Sequence, residues 1–188
     1  MNKVSLPLAS SLCIVFFIVG SAFGYYIAPE YQLSMYVKDS MGLGQADRFV
    51  DLRYINAMAA HHKGAILLAN QVATTSTRKE IQDLASAIQS GEPKLIDELL
   101  TWKKDWFNDA RAVRDPIVAN LGSADATLDL RFLNALIAHH EEGIRMTKEA
   151  RTKSSRKEIL DNADSVETFL TTSLVMLKGW RKDWYNVE

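Results

Sequence analysis

Residues 51–62 read DLRYINAMAAHH, and residues 129–140 read DLRFLNALIAHH. The two stretches lie 78 positions apart, and the same offset aligns Asp47–Asn108 with Asp125–Asn186 without a gap, 24 of the 62 pairs being identical. The shared set includes RKEI at Arg78 and Arg156, Trp102 and Trp106 against Trp180 and Trp184, and His61-His62 against His139-His140. Self-similarity at one fixed offset marks two copies of one unit, stacked so that each buries the other's apolar face.

Within the first copy, Leu52, Ile55, Ala59, His62, Ile66, Ala69 and Ala73 recur at spacings of three and four, which is one face of a helix. The pattern predicts a helix from Asp47 to Ala73. The polar run Thr74-Thr75-Ser76 breaks it. Thr77-Arg78-Lys79-Glu80 then reads as a capping box, with the hydroxyl on an orphan amide and Glu80 reaching back. The second helix follows with Ile81, Ala85, Ile88, Glu92, Leu95, Leu99, Trp102 and Trp106 on one face. Ser155-Arg156-Lys157-Glu158 repeats the box in the second copy. A short loop between long helices forces an antiparallel hairpin, and two hairpins predict an all-α, antiparallel four-helix bundle. Gly91 and Pro93 predict a kink in the second helix, because proline lacks an amide and crowds the preceding turn. Phe169 and Thr171 at the equivalent places predict none in the fourth.

The bundle is preceded by Leu6–Ile27, 22 residues without a charge, enough for a membrane-spanning or signal helix. Lys3 before it predicts a cytoplasmic N-terminus and an exported body, single-pass in the inner (plasma) membrane with the body in the periplasm or extracytoplasmic space. The alternative is secretion to the periplasm after cleavage near Gly20-Ser21-Ala22 or Ala22-Phe23-Gly24. The organisation is therefore an anchor or signal over 1–30, a tether over 31–46, a hairpin over 47–108, a linker with breakers at Asp115-Pro116 and Leu121-Gly122-Ser123 over 109–124, and a hairpin over 125–188. With 22 Lys and Arg against 23 Asp and Glu, no single-sign surplus points to nucleic acid. The single cysteine, Cys13, sits in the apolar segment, so a metal site in the body has only His, Met or carboxylate to use.

All four histidines of the chain are in the two pairs. His62 and His140 fall on the core stripe, with His61 and His139 at its flank, and a buried imidazole requires a hydrogen-bond partner or a metal. Counting back from the turn places Gln89 and Glu92 within a helical turn of His62, Glu92 being either a ligand or the acceptor that orients His62. Met58 and Met146 add thioethers near the same stripe. Imidazole with thioether suits copper, Cu(I) above all, whereas imidazole with carboxylate suits Cu(II), zinc or nickel equally. The candidate metal ligands are thus His61, His62, His139, His140, Met58, Met146 and Glu92, with copper favoured over zinc. The competing reading is a structural or pH-responsive sensing bundle with a polar histidine core and no metal. Asn56 and Asn134 suit either support of the histidines or the surface. The four tryptophans, paired at i and i+4, read as packing anchors.

A carboxylate-bridged di-iron enzyme would need Glu-x-x-His on facing helices. Met58, Ala59, Leu136 and Ile137 stand three residues before the histidines, so this chemistry is not expected. No nucleophile-base pair, phosphate loop or cysteine cluster appears either, and the expectation is a binding protein rather than an enzyme.

In these motifs each copy resembles the bacterial domain of unknown function 305 family, whose first helix reads approximately F-x-x-x-M-x-x-H-H-x-x-A-x-x-M-A. Met58, His61, His62, Ala65 and Ala69 match, with Leu68 in place of the second methionine. In the second copy His139, His140 and Met146 match, and Leu136 replaces the first methionine. Against the family's second helix, approximately Q-x-x-E-I-x-x-M-x-x-W, the chain has Glu92, Leu95, Ile96, Leu99 and Trp102, and then Leu170, Ser173 and Leu177. The resemblance implies a ferritin-like bundle and an exported copper-binding protein in which the histidine pairs carry the metal chemistry.

Overall fold

The computed structural model describes residues 42–187. Helix α1 spans Val50–Asn70, α2 Lys79–Phe107, α3 Leu128–Lys153 and α4 Lys157–Tyr185, with no strand among the described residues. The expected anchor or signal segment lies outside them, and no described helix is long and apolar enough to cross a membrane.

α1 pairs with α2 and α3 with α4 as hairpins, and the hairpins meet through α1 against α3. Each first helix therefore buries two faces. One, noted above, covers its own hairpin. The other runs Tyr54, Met58, His61, Ala65 and Leu68 on α1, with Val72 in the turn just after it, and Phe132, Leu136, His139, Gly143, Met146 and Ala150 on α3, again spaced four and three. All of these are buried except the half-buried His139. This four-three seam is the pattern with which helices interlock side by side. All four helices contribute to the core, where Val72, Ile81 and Ala85 join Phe132, Leu133 and Leu177.

Local contacts repeat across an approximate two-fold axis. Arg156 bonds Asp51 at 3.2 Å and lies 4.1 Å over the Trp106 ring. Its counterpart Arg78 faces Asp129 at 3.6 Å and lies 4.4 Å over Trp184. The start of each first helix is thereby tied to the turn of the other hairpin, which makes α1 and α3 antiparallel. The tryptophans stack in pairs, with centroids 5.1 and 5.2 Å apart, as platforms for these arginines.

Several boundaries differ from the sequence expectations. Leu43 to Ala46, assigned above to the tether, belong to the fold: Leu43 is 1% exposed. Arg53 donates to the Leu43 and Gln45 carbonyls, as Arg131 does to Leu121 and Ser123. The repeat thus starts at Leu43, where Gly44 and its counterpart Gly122 adopt positive φ of 66° and 72°. The second helices are not capped by Thr77 and Ser155. The Ser76 and Ser154 hydroxyls, one residue earlier, accept the amides of Arg78 and Arg156, both at 3.1 Å. Helix α2 runs through Pro93 without ending. Pro93 is exposed, so the carbonyl it deprives of a partner can turn to water. The segment between the hairpins is pinned along α1 by Lys63, which donates to the Val113 carbonyl, and by Gln71, which bonds Ala119 and Leu121.

Candidate metal centre

Neighbouring residues on a helix point about 100° apart. His62 therefore faces α2 while His61 faces α3, and His140 faces α4 while His139 faces α1. His62 Nδ1 bonds the Glu92 carboxylate. His140 Nε2 bonds the Ser173 hydroxyl at 3.0 Å. The flank histidines are the ones that meet: His61 and His139 stack with centroids 3.8 Å apart and planes 14° from parallel. The Nε2–H of His61 donates to the His139 carbonyl at 3.1 Å. Within each pair the ring centroids are 5.9 and 6.1 Å apart.

Glycine makes room for the stack. A Cβ at Gly143 would lie 2.5 Å from His61 Nε2 and 2.6 Å from Leu170, and a Cβ at Gly64 would lie 3.1 Å from His139 Cε1. Sequence reasoning passed over both residues, although a glycine three residues after a histidine inside each helical pattern was the available signal. It also missed Ser173 as the partner of His140.

Each imidazole keeps one buried nitrogen without a hydrogen-bond partner: His61 Nδ1, His62 Nε2, His139 Nε2 and His140 Nδ1. A buried polar atom left unpaired is costly, and four on the two facing helices α1 and α3 fit a Lewis acid that would accept lone pairs there. Three of the rings, His61, His139 and His140, are neutral at ordinary pH. Burial, then repulsion from His139 and His62, holds His61 well below its usual range. Burial, then His140 and His62, lowers His139 to about 3, and burial lowers His140 to about 4 against the opposing Leu136 carbonyl. Two partners are pure acceptors, a carbonyl for His61 and a carboxylate for His62. They fix a proton on Nε2 of His61 and on Nδ1 of His62, so Nδ1 of His61 and Nε2 of His62 are the nitrogens left to face a metal.

Met58 and Met146 are both fully buried on the α1–α3 seam. Glu92 reaches His62, whereas Gln89 turns away to bond Asn70 at 2.7 Å. Asn134 is exposed and bonds Arg181. Among the described residues no three His, Cys, Asp or Glu side chains gather into a group able to hold a metal. An ion held here would need the thioethers besides the imidazoles.

CopM in the Cu(I)-bound form is 26% identical with a TM-score of 0.65, covering 72% of this chain and 97% of CopM. CopM in an Ag-bound form obtained by co-crystallization is 25% identical with a TM-score of 0.64 over 72% and 97%. The apo form is 26% identical with a TM-score of 0.64 over 72% and 98%. The chain is also 29% identical over 111 residues to outer dynein arm-docking complex subunit 4 of Danio rerio, covering 57% of this chain but only 23% of that protein's length. The family model described as domain of unknown function (DUF305) matches residues 51–127 and 129–188, one segment for each hairpin. The chain belongs to the domain of unknown function 305 family.

Proposed function

We propose that this protein binds copper through the histidine pairs of α1 and α3, as a metal-sequestering or metal-handling protein rather than an enzyme. The observation that carries the reading is the set of four unpartnered, buried imidazole nitrogens on the facing helices α1 and α3. His61, His139 and His140, whose burial favours the neutral ring, keep lone pairs for a metal, and the seam adds two buried thioethers, a soft set suited to Cu(I). The likeness to CopM, solved with Cu(I) and with silver, supports the same metal class. The uncharged segment Leu6–Ile27 makes export the natural setting, with the body held outside the cytoplasm by an anchor or released by cleavage.

One observation favours the metal-free reading. The His61–His139 stack and the His140–Ser173 bond form a polar core that holds together without an ion. Titration of the full chain with Cu(I), Cu(II) and zinc, beside a variant with all four histidines changed to alanine, separates the two. Micromolar or tighter copper binding that disappears in a folded variant supports the metal reading. Absence of copper binding in both oxidation states leaves the polar core as the better account.

A further inference from the structure

The duplication provides two metal positions related by the approximate two-fold axis, and we infer that only one keeps its donor set, so that the chain holds a single soft ion on the Met58–Met146 side of the histidine stack. This rests on the metal reading above and specifies its place and stoichiometry.

The register carries the argument. His61 lies over Gly143, and His139 lies beside Gly64. Antiparallel helices advance equally in opposite directions from such a level. Met58, three residues before His61, is therefore level with Met146, three residues after Gly143. On the other side of the stack Leu68 is level with Leu136. Exchanging the hairpins carries Met58 onto Leu136 and Met146 onto Leu68. Each copy, taken alone, has lost half its thioethers. In the folded chain the two survivors share one level, and the equivalent level is wholly aliphatic, with Leu68 3% and Leu136 0% exposed.

The polar partners divide in the same way. His61 and His62 lie one turn from Met58 on α1, and these are the two imidazoles whose acceptor-only partners fix a proton on a named nitrogen. His139 and His140 lie one turn from Leu136. Leu170 stands at the counterpart of Glu92, so His140 has the Ser173 hydroxyl where His62 has a carboxylate. The thioethers thus fall on the side of the stack that His61 and His62 flank, and the carboxylate backs one of those two imidazoles.

Silver(I), a diamagnetic soft ion, is the probe, added to the full chain in a Cys13→Ser background while the methionine methyl signals and the stoichiometry are followed. The expected result is one equivalent, with the Met58 and Met146 methyls shifting together and the Met176 methyl unmoved. Met58→Leu with Met146→Leu, close to volume-conserving and therefore tolerated by the core, should weaken silver at least tenfold. Leu68→Met with Leu136→Met should create a second equivalent. Two equal equivalents in the unaltered chain, or binding indifferent to Met58→Leu with Met146→Leu, overturns the inference while the metal reading stands. Absence of silver uptake overturns both.

Discussion

At the scale of single residues, the site depends on what is missing as much as on what is present. Gly143 has no side chain, and the His61 ring occupies that space against Leu170. Gly143→Ala places a methyl 2.5 Å from a ring nitrogen. Overpacking of this kind costs about 1–3 kcal/mol, and both a lowered melting temperature and displaced His61 resonances are expected; an unchanged melting curve and spectrum would show that the ring has room to spare. In the proposed copper site Glu92 would act on the metal through His62, which it bonds. Glu92→Gln keeps the shape but removes the charge behind the imidazole, so copper affinity should fall by about 10–100-fold, as for other residues that orient a metal-binding histidine. The melting temperature of the metal-free chain should hardly move. A large loss of stability without loss of affinity would make Glu92 a packing residue.

At the scale of elements, the helices were legible because their own hairpin partner imposes a four-three pattern on the sequence. The second seam of α1 and α3 was harder to see. It includes His61, Ala65, His139 and Gly143, whose small or polar character does not register as apolar periodicity. Its logic lies in pairing large with small across the contact, His61 over Gly143, and that is visible only once the register is known. Glu92 was legible by counting residues back from the turn, whereas Ser173 was not, since a serine on a helix is ordinarily a surface residue. The capping box failed for a related reason. Thr77 fits it by spacing, but the hydroxyl that meets a backbone amide is that of Ser76, which accepts the Arg78 amide in the turn ahead of the helix. Ser76→Ala is therefore expected to lower stability by about 1 kcal/mol, the usual net worth of a hydrogen bond. Thr77→Ala should change little. Denaturant titration of the two variants decides, and the reverse order would restore the box as first read.

At the scale of the whole molecule, two equivalent hairpins close on each other through reciprocal contacts, Arg78 with Asp129 and Arg156 with Asp51. This closure buries the histidines and makes the fold sensitive to acid. His61, His139 and His140 have folded pKa values below the ordinary 6.5, the last two at about 3 and about 4. As pH falls below 6.5 the unfolded chain takes up protons that the folded chain refuses, so stability present above that pH is lost progressively towards pH 3–4. Melting temperatures between pH 7 and pH 4 should fall, and bound copper, which competes with protons for the same nitrogens, should raise them at neutral pH. A flat profile would mean that the imidazoles are more hydrated than their burial indicates.

The most direct test of the central claim is X-ray absorption at the copper edge of the full chain loaded with Cu(I), in a Cys13→Ser background so that sulfur can come only from methionine. The account predicts a shell of nitrogen and sulfur with the outer-shell scattering of imidazole, lost when His61 and His62 are replaced. A shell without imidazole, or one unchanged by those replacements, would contradict it.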